Sequence, residues 1–175
     1  MRITIDDLNK GGALCAAAGG ALRVASTFVP YTADSAALEL LYGTVDVLML
    51  LGLVAIYLSV AERCGWTGLA GFLIGAAALA SIVGPDTNRF GVDFYLAGAA
   101  FLLAGLAILS VALLRARTLR AAALLWLTAF AFSIAGAITR QPLLISGSGL
   151  FFGVAFLIAG LSLNNSSANP ARARQ

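Results

Sequence analysis

No charged residue stands between Arg63 and Asp86, between Asp93 and Arg115, between Arg120 and Arg140, or between Arg140 and Arg172. Uninterrupted apolar runs of this length constrain the chain more than any motif in it. A helix rises about 1.5 Å per residue, so roughly 20 such residues cross the ~30 Å hydrocarbon core of a bilayer. Across the 175 residues, 61% are hydrophobic and 11% charged, with a mean hydropathy of +0.95. A soluble domain carries about a quarter charged residues. There is too little charge here to cover a water-facing surface, which excludes a cytoplasmic enzyme, a nucleic-acid binder and a disordered linker. The chain reads as an integral membrane protein.

Six stretches are read as spans: about 11–29, 38–60, 66–84, 93–114, 119–139 and 143–163, with 164–175 as a polar tail. The expected fold is all-α, a polytopic transmembrane bundle of six helices in one domain, arranged as three antiparallel hairpins in tandem. A transmembrane β-barrel is excluded because the runs are continuous rather than alternating. The first stretch is small rather than greasy, with Gly11, Gly12, Gly19 and Gly20, and it contains Arg23. It is taken as a span packed against protein on most sides. Asp6 and Asp7 are wrong for the basic start of a signal peptide, so none is expected there.

Basic residues near span ends set orientation. Arg2, Lys10, Arg63, Arg115, Arg117, Arg120, Arg172 and Arg174 fall on one side under this layout, against Arg89 and Arg140 on the other. Both termini are therefore expected in the cytoplasm. The net charge of +3 then reflects topology and implies no nucleic-acid partner. One lysine beside ten arginines, in an Ala- and Gly-rich chain, suggests a bacterial inner-membrane origin. Cys15 and Cys64 form no Cys-x-x-Cys and read as reduced thiols.

Gly52-Leu53, Gly105-Leu106 and Gly160-Leu161 recur along the chain, and Pro30, Pro85 and Pro142 fall one to each outer loop, as a tandem hairpin repeat would place them. Small residues stand at helix-packing spacing: Gly12, Ala16 and Gly20 in the first span, Gly71 and Gly75 in the third, Gly149 and Gly153 in the sixth. In lipid there is little hydrophobic force between helices, so close backbone approach must hold them. Such faces serve internal packing or contact with another subunit.

Ionisable groups within spans are the default functional candidates, because each is costly unless paired or hydrated. Asp46 lies inside the second span and Arg23 inside the first, at nearly the same depth if the two are antiparallel. An ion pair between them is expected. Glu39, Tyr42 and Asp46 are spaced i, i+3, i+7 and share one helix face leading in from the outer surface. This group is either a structural lock or a transport site whose proton or cation would bind Asp46; in a third reading Arg23 snorkels to lipid headgroups. Asp86, Arg89 and Asp93 read as solvated loop charges, with a weak cation site or a docking surface as the alternative. Trp66, Trp126, Tyr31 and Tyr95 read as interfacial anchors, and Ser146-Gly147-Ser148-Gly149 as a flexible turn.

The chain has no histidine, no Cys cluster and no phosphate-binding Gly-x-x-x-x-Gly-Lys. No metal, cofactor or catalytic residue is therefore expected, and an enzyme is not. The segment Ala61-Glu62-Arg63-Cys64-Gly65 leading into Gly68-Leu69-Ala70-Gly71-Phe72 resembles uncharacterised bacterial multi-span membrane proteins, in which a short Ala-Glu-Arg-x-Gly loop precedes such a helix. The resemblance covers about 20 residues and implies a bacterial six-span protein with no function attached. Two functions are expected from the residues. One is a non-catalytic accessory or scaffold subunit, partnered by the bilayer and by other membrane subunits or copies of itself. The other is a small transporter or channel with a polar site in the first hairpin open to the outside.

Overall fold

The computed structural model describes residues 4–29, 35–82, 88–89 and 92–168. Helices α1 (Ile5–Ser26), α2 (Ala36–Ile82), α3 (Phe94–Arg115), α4 (Arg120–Thr139) and α5 (Pro142–Ala168) make up almost all of it. Between α2 and α3, strands β1 (Asn88–Arg89) and β2 (Val92–Asp93) pair antiparallel, with Asn88 opposite Asp93. Asp93 also starts α3, its carboxylate accepting from the Leu96 N–H at 3.0 Å. Tyr31, Pro30, Pro85 and Asp86 lie outside the described residues.

The expectation of six helices in three hairpins is corrected: there are five helices, and stretches 38–60 and 66–84 belong to α2 alone. No loop separates them. Gly65 departs from helical geometry, at φ 54° and ψ −157°, and the helix resumes directly. The chain reverses there. The rings of Tyr57 and Phe72 stack at 4.3 Å and 7°, whereas fifteen residues of straight helix would hold them about 22 Å apart. A single glycine accomplishes the turn that a loop was expected to make, because it alone adopts this backbone conformation without a Cβ clash.

Four helices are long and apolar enough to cross a membrane: α2, α3, α4 and α5. Helix α1 is not among them, which corrects the reading of 11–29 as a span. Its glycines, with Asp7, Lys10 and Arg23, leave it short of the required apolarity. It also starts earlier than expected, because Thr4 and Asp7 form a capping box. The Asp7 N–H donates to the Thr4 hydroxyl at 3.3 Å and the Thr4 N–H to the Asp7 carboxylate at 3.0 Å.

Each helix packs on the next, and α5 returns to α1, so the contacts close into a ring. Small residues make the closure possible. A Cβ on Gly20 of α1 would stand 2.5 Å from the Leu157 nitrogen and 2.6 Å from the Gly153 oxygen of α5. Gly12 abuts Ala55 of α2, and Ala16 abuts Gly52. Gly71 and Gly75 of α2 meet Gly105 of α3, whose Cβ would lie 2.5 Å from the Gly75 nitrogen. The recurring Gly-Leu glycines thus all sit at crossings, but Gly160 meets Ala13 and Ala17 of α1 rather than its own neighbour α4. The third pair of helices does not repeat the packing of the first two.

The ring is filled by Met49, Leu53 and Ile56 of α2, Leu106, Leu109 and Leu113 of α3, Trp126 of α4 and Phe156 of α5. Trp126 is 0% exposed and edge-on to Phe156 at 5.2 Å. It is a core residue, which corrects its reading as an interfacial anchor. The neighbouring Ala122, Ala123 and Ala129 are also buried and let other helices close around it. Trp66, beside the Gly65 turn, is 86% exposed.

Residues 146–149 are a second correction at this scale, because they lie within α5 rather than in a turn. The Ser148 hydroxyl donates to the Ala129 carbonyl of α4 at 2.8 Å, so the small residues serve a helix contact. Hydroxyls of Thr44, Ser59, Ser81, Thr128 and Thr139 donate to carbonyls of their own helices, which satisfies them without water.

Candidate functional site

The α1–α2 crossing fixes the depth of the charged residues. Gly12 stands opposite Ala55, Ala16 opposite Gly52 and Gly19 opposite Met49 and Leu48, an antiparallel register that carries on to bring Arg23 level with Asp46. Helix α1 ends one turn later. There the Ser26 and Thr27 hydroxyls both donate to the Arg23 carbonyl, at 2.8 and 3.1 Å.

The Arg23 guanidinium does not close on Asp46. It turns to α5, where Gly149 has no side chain: a Cβ there would stand 3.1 Å from the Arg23 Nη2 and 3.6 Å from its Cζ. Its single hydrogen bond among the described residues runs from Nη1 to the Ser26 hydroxyl at 3.5 Å, the outer limit for such a contact. Arg23 and Asp46 are near enough to act on each other electrostatically, yet no oxygen–nitrogen contact within 4.0 Å joins them. The expected ion pair is therefore corrected. The guanidinium instead lies against Gly149 of α5.

Asp46 is half-buried, and among the described residues its carboxylate accepts no hydrogen bond. Tyr42, one turn nearer the end of the bundle, is half-buried, and Glu39 is exposed at the start of α2. The three share a face, as their spacing requires. Arg23 and Asp46 thus stand level in the helix register without pairing, with Tyr42 and Glu39 nearer the start of α2. Chemically, such groups can hold an ion or a small polar molecule by charge-assisted hydrogen bonds.

Sequence reasoning missed the contribution of α5. Gly149 reads as a helix-packing glycine, and nothing in its neighbourhood signals that its missing side chain accommodates an arginine from α1. Gly153, one turn on, does serve close packing, against the Gly20 oxygen and Val24. Among the described residues, no three His, Cys, Asp or Glu side chains gather as a metal site would require. Cys15 and Cys64 are free thiols, the second buried beside the α2 turn.

Comparison with protein-family models, with curated proteins and with solved structures found no match, so fold and site rest on their own geometry. The class they define is a helical protein with four helices able to cross a membrane.

Proposed function

We propose that this protein is a small, non-catalytic membrane transporter or channel whose polar site is formed by Arg23, Asp46, Tyr42 and Glu39, with Gly149 as the seat of the arginine. The observation that carries this reading is the unclosed pair. A structural lock would draw guanidinium and carboxylate into a hydrogen-bonded contact, since each is costly to leave alone at depth. Among the described residues, Asp46 accepts no hydrogen bond and the Arg23 guanidinium makes only the long one to Ser26. Desolvated charges kept apart by the fold are the usual preparation for a third group.

The reading as an accessory or scaffold subunit drew on a surplus of small-residue faces. Gly12, Ala16, Gly20, Gly71, Gly75 and Gly153 are all occupied by contacts inside the chain. One of the three grounds for that reading, beside the missing cofactor ligands and the minimal loops, is thus accounted for by internal packing. Arg63, Arg115, Arg117 and Arg120 lie at the end of the bundle opposite the site, at the α2 turn and the α3–α4 connection. By the positive-inside tendency this end is cytoplasmic, in a bacterial inner membrane, and the site opens outward.

Two measurements test the proposal. In a background lacking the native thiols, the Asp46→Cys variant in sealed vesicles reacts with a membrane-impermeant cationic thiol reagent from the outside. In liposomes, Asp46→Asn lowers proton or cation flux at least about tenfold, the loss expected for a charged hydrogen bond worth roughly 1.5–3 kcal/mol. An Asp46→Cys variant that does not react, or the same flux in wild type and Asp46→Asn, overturns it.

A further inference from the structure

Three arginines crowd the short connection between α3 and α4. Arg115 ends α3, Arg120 begins α4 and Arg117 lies between them, and all three are exposed. Helix α2 brings a fourth. A Cβ added to Gly68, three residues past the Gly65 turn, would stand 3.6 Å from the Ala112 Cβ of α3. That contact sets the turn, with exposed Arg63 and Trp66, at the same end of the bundle as the connection. Turn and connection together hold four arginines against one carboxylate, Glu62. Among the described residues, no carboxylate comes within 4.0 Å of any of these guanidiniums.

The backbone singles out Arg117. Its N–H donates to the Leu114 carbonyl at 3.1 Å and the Thr118 N–H to the Leu113 carbonyl at 3.0 Å, a helix ending that turns Arg117 left-handed, at φ 58°. Such a position favours glycine, which has no Cβ to strain. An arginine there costs stability, which a role for its charge accounts for. Alongside the arginines the surface changes character. Val111, one turn before Arg115, and Leu124, one turn after Arg120, are exposed and apolar. Exposed indoles such as that of Trp66 favour the headgroup layer of a bilayer. Cationic groups at the end and hydrocarbon along the flank match a phospholipid, whereas a soluble anion would use only the first.

We propose that the α3–α4 connection docks an anionic phospholipid, with its phosphodiester on Arg115, Arg117 and Arg120 and its acyl chain along Val111 and Leu124. Guanidinium groups offer paired N–H donors to phosphate oxygens. A choline lipid presents the same phosphate but adds a cation, which the arginines repel. This surface lies at the opposite end of the bundle from Arg23 and Asp46, so the proposal stands independently of their role.

Protein purified in mild detergent and stripped of lipid is offered equal amounts of phosphatidylglycerol and phosphatidylcholine, and bound lipid is counted by native mass spectrometry. Phosphatidylglycerol is expected to be preferred at least about tenfold. Arg115→Gln and Arg120→Gln each lower that preference about fivefold, the worth of one basic residue near an anionic surface. Arg117→Gly separates binding from folding. It lowers the preference by a similar factor, yet raises the melting temperature of the lipid-free protein by about 2–4 °C as strain is relieved. Arg140, exposed and left-handed at the other end of α4, is the control, and Arg140→Gln leaves the preference unchanged.

Equal binding of the two lipids, or wild-type preference in the three connection variants, overturns the proposal. So does a loss in Arg140→Gln that matches theirs, which would make net charge the cause. Displacement of the lipid by glycerophosphoglycerol or polyglutamate as readily as by intact phosphatidylglycerol also overturns it, and assigns the surface to a soluble anion or an acidic protein.

Discussion

Gly65 and Gly11 show how two glycines with equal room can have opposite worth. Neither would meet an atom within 4 Å if a Cβ were added, but Gly65 has φ 54° and Gly11 is an ordinary residue of α1. Gly65→Ala is therefore expected to lose about 1–3 kcal/mol from backbone strain alone. Gly11→Ala should gain up to about 1 kcal/mol, because alanine gives up less conformational entropy in a helix. Unfolding of both variants in detergent reads the difference, and equal values would remove the special role of Gly65. Trp126 offers a second test. Among the described residues its buried indole nitrogen has no hydrogen-bond partner, and neither has the Ser110 hydroxyl. Trp126→Ala should cost about 3–5 kcal/mol through the void it leaves. Trp126→Phe should cost far less, because it removes an unsatisfied donor along with the area. Little at this scale was legible beforehand. A tryptophan near a span end carries the same signal whether it faces lipid headgroups or a core of Phe156 and Leu109.

Among the elements, α1 differs most from its expected form. Its amino-terminal turn is held by the exposed capping box, whose Asp7 carboxyl accepts from the Thr4 hydroxyl at 2.7 Å as well as from the Thr4 N–H. Those bonds, hydroxyl first, with a smaller contribution from Lys10, hold the Asp7 pKa below its ordinary 3.8. A carboxyl lowered in the folded state adds stability that is full above its unfolded pKa and lost as pH falls through the folded value. Asp7→Asn should therefore unfold more readily than wild type near neutrality. The two should converge well below pH 3.8, as a series of thermal melts would show. A constant gap across that range would mean that the carboxylate charge is not involved. The depth of Arg23 within α1 was legible from spacing, because antiparallel neighbours of known register place residues simply. Its direction was not, since a long side chain chooses between α2 and α5 according to where a glycine leaves space.

At the scale of the whole molecule, four helices are long and apolar enough to cross a membrane, and the proposed topology sets the two ends of the bundle on its opposite sides. Thr118 lies in the α3–α4 connection and Gln141 between α4 and α5, on either side of a helix able to span. Single cysteines at these positions, in a background without the native thiols, should label from opposite sides of sealed vesicles. Labelling of both from one side would place α4 along the surface instead of across the membrane. Apolar side chains such as Leu51, Phe101, Leu124 and Ile138 are exposed around the bundle, as lipid contact requires.

The amino-acid sequence by itself determined the membrane class, the helical content and the depth of the charged residues. These follow from local quantities: apolar run length, the placement of charge, and the rise of a helix. Tertiary structure decided that α2 folds back at one glycine, that α1 packs between α2 and α5, and that Arg23 turns to α5. These depend on which backbones come within touching distance. In an interior built from Ala, Gly and Leu, that is set by close steric fit among partners far apart in the chain, and runs of similar small residues do not announce which partner each will meet.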